Sequence, residues 1–398
     1  MAAVLVRPYT WHQPRYTQEA SMDQGLAQGS VRVLHVLNEL RASGAELMLH
    51  SAATEWKKHG VEAHLLAVAP TVGTFADRLR VAGYRVAHEL DDPLWRLPAR
   101  FRRRVAAGRY DVVHLHAERG SFWLGLAALS TGATVVRTVH NAFGFRGLLR
   151  VQRAVQRGVL RSAGVVHVCV GPSVADNERG TFGNPAEVVE NWYDEMFVPP
   201  TLQQRAVART ELGLDDRDLV AVSVGNCSPV KRHEAVLEAM VHPDCPPHLK
   251  YVHVGEEVAA RDERRLSERL GVADRVRFLG QTHPLAALHA ADVFVMPSVY
   301  EGLSIAAVEA LATGLPAVLT DAPGLRDLAE DNSAVTLIDI TPGGFAKAIG
   351  QAARLSAGRH RDGVPRDVDA VRNRFGMGRG VAQYVDIYRR TWGPPRRS

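Results

Sequence analysis

The sequence predicts an α/β protein made of two Rossmann-like, doubly wound parallel-sheet domains in series. Three observations carry that expectation. From Val31 onward, short β-branched runs alternate with longer amphipathic segments, the pattern of βαβ units. The alternation stops at VPPTLQQ, residues 198–204, which has the composition of a linker, and then begins again. With 398 residues the chain exceeds the roughly 250 to 300 at which a single core stops growing.

Taken in order, VRVLHVL reads as a strand, residues 44–59 as a helix, VEAHLLAVA as a strand and TFADRLRVAGY as a helix. RVAHEL, a helix around Arg100, DVVHLHA, FWLGLAALS, ATVVRTVH and GVVHVCVG continue the series towards Asn191. After the linker come strand LVAVSVGN, helix HEAVLEAMV, strand KYVHVGE, helix DERRLSERLG and strand VRFLG. LAALHAA, DVFVMPS, a helix after Ser304, PAVLTD, LRDLAED and AVTLID complete the second series. The expected divisions are a poorly ordered leader over 1–30, a first domain over 31–197, the linker, a second domain over 205–377, and a last helix over 378–398.

Composition narrows the class. An apolar share of 46% and a charged share of 23% suit a soluble globular chain. The net charge of +5 is too small for a dedicated nucleic-acid binder and suits an anionic ligand. Arg100, Arg102, Arg103 and Arg104 cluster, which reads as a solvated helix face or as a contact for an anionic membrane surface. Cys169, Cys227 and Cys245 have no metal-ligand spacing, and Cys169 sits in an apolar run, so a reducing compartment is expected. No run approaches the roughly 18 apolar residues of a membrane span, and the first apolar run is too short for a signal-peptide core, so the expected location is cytoplasmic, at most at the inner face of the membrane.

Doubly wound sheets bind ligands at the carboxyl ends of their strands. Asn38, His116, His140, Asn226 and Glu301 all follow predicted strands, and polar groups at corresponding ends of both sheets imply a cleft between the domains. EGLSIAAVE is the densest stretch, with Ser304 as a helix N-cap. Glu301 then precedes the helix and Glu309 lies within it. The N–H groups of Gly302, Leu303 and Ser304 are the unpaired donors of a helix start, which favours an anion such as phosphate. The blander reading is a packed helix with one acid as dipole partner and the other solvated.

Five stretches, in order, carry a family resemblance: NELRASGAELMLHSAA, VVRTVHNAF, VVENWYDEMF, VSVGNCSPVKRHEAVLEAM and the EGLSIAAVE motif with ATGLPAV after it. Together they make the chain similar to retaining GT-B glycosyltransferases, most closely those of glycosyltransferase family 4, from Val31 to Trp392. The resemblance implies that Ser43 and Gly44 bring backbone to the donor phosphates, with Ser43 in place of a family glycine. His140 corresponds to the histidine beside the donor sugar. Asn191, Asp194 and Phe197 match a family motif in which Trp192 replaces a glycine; Asn191, His116 and Glu118 are acceptor-side candidates. Lys231 would set a positive charge on the diphosphate, while Asn226 stands where the family has arginine, leaving Arg232 to compensate. Glu301 would bind sugar hydroxyls and Glu309 both ribose hydroxyls, a task suited to the two oxygens of a carboxylate. The FGMGRGVAQYVDIYRRTW tail is similar to the final helix that crosses back onto the first domain, with Val381, Val385 and Tyr388 at helical spacing.

The reaction so implied is transfer of a hexosyl group from a nucleotide-diphosphate sugar, a UDP-sugar first among them, to an acceptor hydroxyl with retention. Polysaccharide, lipid-linked and small natural-product acceptors such as an aminoglycoside all stay open. No metal or other cofactor is implied. Asp216-Arg-Asp218 and Asp367-Val-Asp369 have the spacing of a metal-binding pair but read as turns. Two other readings stand beside this one: a nucleotide-sugar epimerase, which needs no acceptor, and a non-catalytic nucleotide- or carbohydrate-binding protein. A dinucleotide oxidoreductase is set aside, because no G-x-G-x-x-G follows the first strand.

Overall fold

In the computed structural model the described residues are 30–89, 94–142, 144–257, 262–362 and 366–392. The expected leader falls almost wholly outside them. The described residues divide into two compact units: a first that combines those from 30 to 194 with 375–392, and a second that holds those from 195 to 374.

The first unit holds a seven-stranded sheet: β1 Val31–Leu37, β2 Val61–Ala67, β3 Arg85–His88, β4 Val112–Leu115, β5 Thr134–Val139, β6 Val166–Cys169 and β7 Glu187–Val188. Their order is β3-β2-β1-β4-β5-β6-β7, every pair parallel. The second holds a six-stranded sheet of β8 Leu219–Val224, β9 Leu249–Val254, β10 Val276–Phe278, β11 Val293–Met296, β12 Ala317–Thr320 and β13 Val335–Ile338, in the order β10-β9-β8-β11-β12-β13, again all parallel. Both are the doubly wound architecture expected from the sequence.

Parallel strands covered by helices on both faces read as nearly continuous apolar runs. β1 and β8 show this, with most of their residues buried. In the first unit Leu34, Val36, Leu66, Phe101, Val105, Leu124 and Leu160 share one core; in the second, Val236, Leu237, Tyr251, Val318, Phe345 and Ile349 share another. In each sheet the strand order reverses beside the first strand, between β1 and β4 and between β8 and β11. Crevices for ligands open at such points, outside the carboxyl ends.

Some expectations need correcting. Helix Leu202–Glu211 begins inside the segment read as a linker: Thr201 is its N-cap, its hydroxyl accepting from Gln204 N at 3.1 Å and its own N–H donating to Gln204 Oε1 at 2.9 Å. That capping box was hidden by the proline-glutamine composition around it. Asp367-Val-Asp369 lies in the first turn of helix Arg366–Phe375, where acids complement the helix dipole, and not in a turn between elements. The helices Gly147–Ser162, Pro172–Phe182 and Pro342–Asp362 were not read from the sequence.

The last helix, Met377–Trp392, belongs to the first unit and packs on β5. Its buried face carries Val381, Tyr384, Val385, Ile387 and Tyr388. Trp192, which stands at a family glycine, lies against this helix. Its indole donates to Met48 O at 3.1 Å, and a side chain at Gly380 would collide with its ring. The bulk added at 192 is accommodated by the absence of a side chain at 380.

Candidate active site

In the second unit, Glu301 and Lys231 are brought together from different loops. Ser228 O accepts from Lys231 N at 3.0 Å, closing a turn after β8, and Val299 N donates to Val230 O at 2.8 Å, tying that turn to the loop after β11. As a result Lys231 Nζ lies 2.6 Å from Glu301 Oε1, both side chains being mostly buried. A charge-assisted bond this short fixes two long side chains in one geometry.

Helix Ile305–Ala312 starts where its N-cap predicts: Ser304 Oγ accepts from Ala307 N at 3.3 Å. Gly302, Leu303 and Ser304 form the turn before it, all three buried, and Glu309 is buried inside the helix. A residue missed from the sequence sets this turn. Gly324 has a φ of +78°, and a Cβ there would run into the carbonyl oxygen of Gly302. Pro323 O accepts from Glu301 N at 3.1 Å, so the loop after β12 lies flat on the Glu301-Gly302 turn. Only the pairing of β11 with β12 makes that approach visible.

Asn226 has a scaffolding contact: its Oδ1 accepts from Glu256 N at 2.9 Å, and Cys227 N donates to Glu256 O at 2.9 Å, joining the loops after β8 and β9. The adjacent Gly255, at φ +155°, is equally tight, since a Cβ there would meet the carbonyl of Gly225. Arg232 pairs with Glu234 at 2.8 Å and holds a φ of +50°.

At the turning point of the first unit's sheet the described residues gather imidazoles. There His35 of β1 sits opposite His114 of β4 in register. His35 Nδ1 is 3.0 Å from His116 Nε2, and His116 Nδ1 is 3.0 Å from His140 Nε2. Beneath them His114 bonds Tyr388 Oη at 2.6 Å and Thr138 Oγ1 at 2.7 Å, and Thr138 Oγ1 is 3.0 Å from Tyr384 Oη. The last helix thus anchors the imidazole set from below. Burial disfavours the charged form of each ring. It draws His35 down to about 3, with His64 adding to it, and His140 down to about 4, with the Arg137 cation adding to it. His116 lies well below the usual histidine range for the same reason, its neighbouring rings contributing.

Glu118 is engaged with cations of its own unit. Its carboxylate takes bonds from Arg137 and, at 3.2 Å, from Arg157, which also pairs with Glu178 at 2.7 Å. Both guanidiniums are buried, so their acids are structural counterions. Asn191 is buried at the end of the first unit, its N–H donating to Val170 O at 3.3 Å. Ser43 precedes helix Gly44–Ser51 at φ −131°, an extended conformation open to any residue, and its hydroxyl donates to the buried Glu46 carboxylate. Burial pushes Glu46 up to about 7, against the opposing pull of that bond.

Two doubly wound parallel-sheet units in one chain are the architecture of the GT-B fold class. The family models agree: Glycosyltransferase Family 4 matches residues 42–196 and Glycosyl transferases group 1 matches residues 204–361. The chain belongs to this family, the group 1, family 4-like glycosyltransferases. Among curated relatives, the D-inositol 3-phosphate glycosyltransferase of Corynebacterium urealyticum is 29% identical over 311 residues, 70% of this chain and 71% of the relative. That of Streptomyces coelicolor is 28% identical over 325 residues, 71% of this chain and 69% of the relative. Anabaena HepE in complex with UDP aligns with a TM-score of 0.76 at 18% identity, over 90% of this chain and 99% of its own. Its UDP-glucose complex gives a TM-score of 0.73 at 18% identity, over 89% and 99%. At such identity the structural likeness carries the fold alone.

Proposed function

We propose that the protein transfers a hexosyl group with retention from a nucleotide-diphosphate sugar, a UDP-sugar first, to an acceptor hydroxyl, without a metal ion. The observation that carries this is the Lys231–Glu301 pair at 2.6 Å, set beside the start of helix Ile305–Ala312. A cation and a helix start together suit a diphosphate, and an acid beside the cation suits sugar hydroxyls. In this reading Lys231 and the N–H groups of Gly302, Leu303 and Ser304 meet the diphosphate, with Arg232 near the same loop. Glu301 meets the sugar, and Glu309 takes the two ribose hydroxyls. Ser43 and Gly44 lie along the phosphates, and His140 stands beside the sugar.

The bond from the anomeric carbon to the phosphate oxygen breaks, and one from that carbon to the acceptor oxygen forms on the same face. The acceptor proton passes to the departing phosphate. Charge grows on the diphosphate as it leaves, so Lys231 stabilises the transition state more than the ground state. Asn191 stays an acceptor-side candidate. His116 and Glu118 are weaker ones, since His35 and His140 already hold the first and Arg137 and Arg157 the second.

The test incubates the protein with UDP- and GDP-sugars, with and without EDTA. The acceptors are glycans, a lipid-linked sugar, an aminoglycoside and, from the names of the relatives, inositol 3-phosphate. Acceptor-dependent UDP release that survives EDTA, with a product of unchanged anomeric configuration, is the expected result. Release without acceptor means an epimerase, binding without release means a binding protein, and loss in EDTA removes the metal-free step.

Among the described residues no helix is long and apolar enough to cross a membrane. The arginine cluster is partly committed: Arg100 and Arg104 both pair with Glu89, at 3.2 and 2.7 Å, leaving Arg102 and Arg103 exposed. Helix Gly147–Ser162 suits an anionic bilayer better. Its exposed Leu148, Val151, Val155 and Val159 recur at steps of three and four, and Arg150 and Arg161 are exposed on the same helix. Sedimentation with phosphatidylglycerol vesicles but not phosphatidylcholine ones, abolished by V151S/V155S, is the expected outcome. Binding to neither sinks the idea.

A further inference from the structure

The imidazoles of His35, His116 and His140 form a series whose proton positions are constrained by what surrounds its inner end. Each link is a nitrogen-to-nitrogen hydrogen bond of 3.0 Å, so at each link one ring donates and the other accepts. Two orderings are possible. In one, His35 Nδ1–H donates to His116 Nε2, and His116 Nδ1–H donates to His140 Nε2. In the other every bond runs the opposite way.

The inner end decides between them. His35 Nε2 is buried with no hydrogen-bond partner. The first ordering leaves a lone pair there, and the second leaves an N–H. Orphaned buried N–H groups are the rarer and costlier of the two. At the outer end, Nδ1 of His140 has no hydrogen-bond partner among the described residues, and His140 is itself only partly buried. The first ordering therefore places a proton on His140 Nδ1, the nitrogen left available.

His35, His114 and His116 also lie close enough, within 4.8 Å, to suggest a metal site. Their ring nitrogens are committed elsewhere: both of His114 to Tyr388 and Thr138, both of His116 to its neighbouring histidines, and Nδ1 of His35 to His116. His114 packs against His116 with ring centres 4.1 Å apart and planes tilted by 31°, so a hydrogen-bonded series fits these side chains better than a ligand set.

We propose that His35 and His116 are positioning residues: bonded in series behind His140, they hold it as the neutral tautomer with its proton on Nδ1, so that it meets the donor sugar as a hydrogen-bond donor and not as a base. The inference rests on the placement of His140 beside the sugar in the reading above. It separates His140 from the role of an inverting base, because a ring whose Nε2 already accepts a bond and whose Nδ1 carries the proton has no free lone pair to offer an acceptor hydroxyl.

The experiment is long-range ¹H–¹⁵N correlation of histidine rings in the full chain at neutral pH, with kinetics on His116→Leu and His116→Asn. The expected spectrum shows His140 protonated at Nδ1 and bare at Nε2. In His116→Leu the His140 signals shift to a mixture of tautomers and kcat falls at least tenfold while KM for donor changes less than threefold. His116→Asn, whose amide can donate from the position of Nδ1, restores the single tautomer and most of kcat. A wild-type His140 protonated at Nε2 overturns the proposal, as does a His116→Leu protein, folded by near-ultraviolet circular dichroism, with unchanged tautomer and kcat. Saturating nucleotide sugar supplies the separate control. If the expected tautomer is present but no His140 signal moves on titration, the placement of His140 at the sugar fails while the series behind it stands.

Discussion

The two units offer the same architectural position to a ligand and fill it in opposite ways. At the turning point of the second sheet stands a full charge pair, Lys231 with Glu301. At that of the first stands a set of uncharged rings, His35, His116 and His140, whose burial keeps them neutral at physiological pH. The difference follows from what each must do in the proposed reaction. A diphosphate needs positive charge that is already in place when its own charge grows, whereas a sugar hydroxyl needs a directed donor. A charged ring there would also add a cation where positive charge develops at the anomeric carbon.

The largest expected effect breaks the charged half. Lys231→Ala removes the cation and leaves the Glu301 carboxylate without it, so kcat/KM for a UDP-sugar should fall about 10²- to 10³-fold. Steady-state kinetics checks this, and a loss under fivefold would mean that another group carries the leaving charge.

Next is the neutral half, through acid. The unfolded His140 ring protonates below about 6.5, while the folded ring resists until about 4. Between those values the unfolded state binds more protons, so stability is complete above pH 6.5 and drains away as pH falls towards 4. For His140 alone this is on the order of 3 kcal/mol. Urea unfolding of wild type and His140→Gln at pH 7.5 and 4.5 should show the wild type losing more, and equal losses would contradict a partly buried ring held neutral.

Gly324→Ala should cost about 2 kcal/mol, from the strain of a left-handed alanine plus the collision with the Gly302 carbonyl. Because that carbonyl belongs to the turn carrying Glu301, donor KM should rise as well. Calorimetry and kinetics on one preparation would separate the two, and an unchanged melting temperature would show that the loop after β12 has room to move. Glu309→Gln keeps the shape of the side chain and removes its charge, and should weaken UDP about tenfold by titration calorimetry.

These predictions divide along the line of what the sequence discloses. The charged half is legible because its groups sit in local patterns: Ser304 as N-cap, Glu301 just before it, Lys231 in a turn after a strand. The neutral half is not. His35 lies mid-strand in VRVLHVL and reads as core, and its link to His116 exists only because β1 pairs with β4 so that His35 faces His114. Glu118 misleads for the same reason, since nothing local reveals that Arg137 and Arg157 converge on it. Gly324 acquires its meaning from a loop 22 residues earlier in the chain, at Gly302. Register and loop-on-loop contact are tertiary facts, and single-chain periodicity carries neither.

The smallest effect concerns Ser43, the residue where the chain departs from the family glycine. A glycine is required only where the backbone takes a conformation closed to side chains, and Ser43 at φ −131° does not. Its hydroxyl instead holds down the proton affinity of Glu46, whose buried carboxyl already titrates near 7. Ser43→Gly should therefore leave kcat/KM within about threefold and lower stability at pH 7.5 by no more than about 1 kcal/mol, a shift of about 2 to 4 °C in melting temperature. A tenfold gain in donor affinity would mean that the serine side chain stands in the path of the phosphates. In that case the family glycine matters for close approach to the ligand, not for the turn.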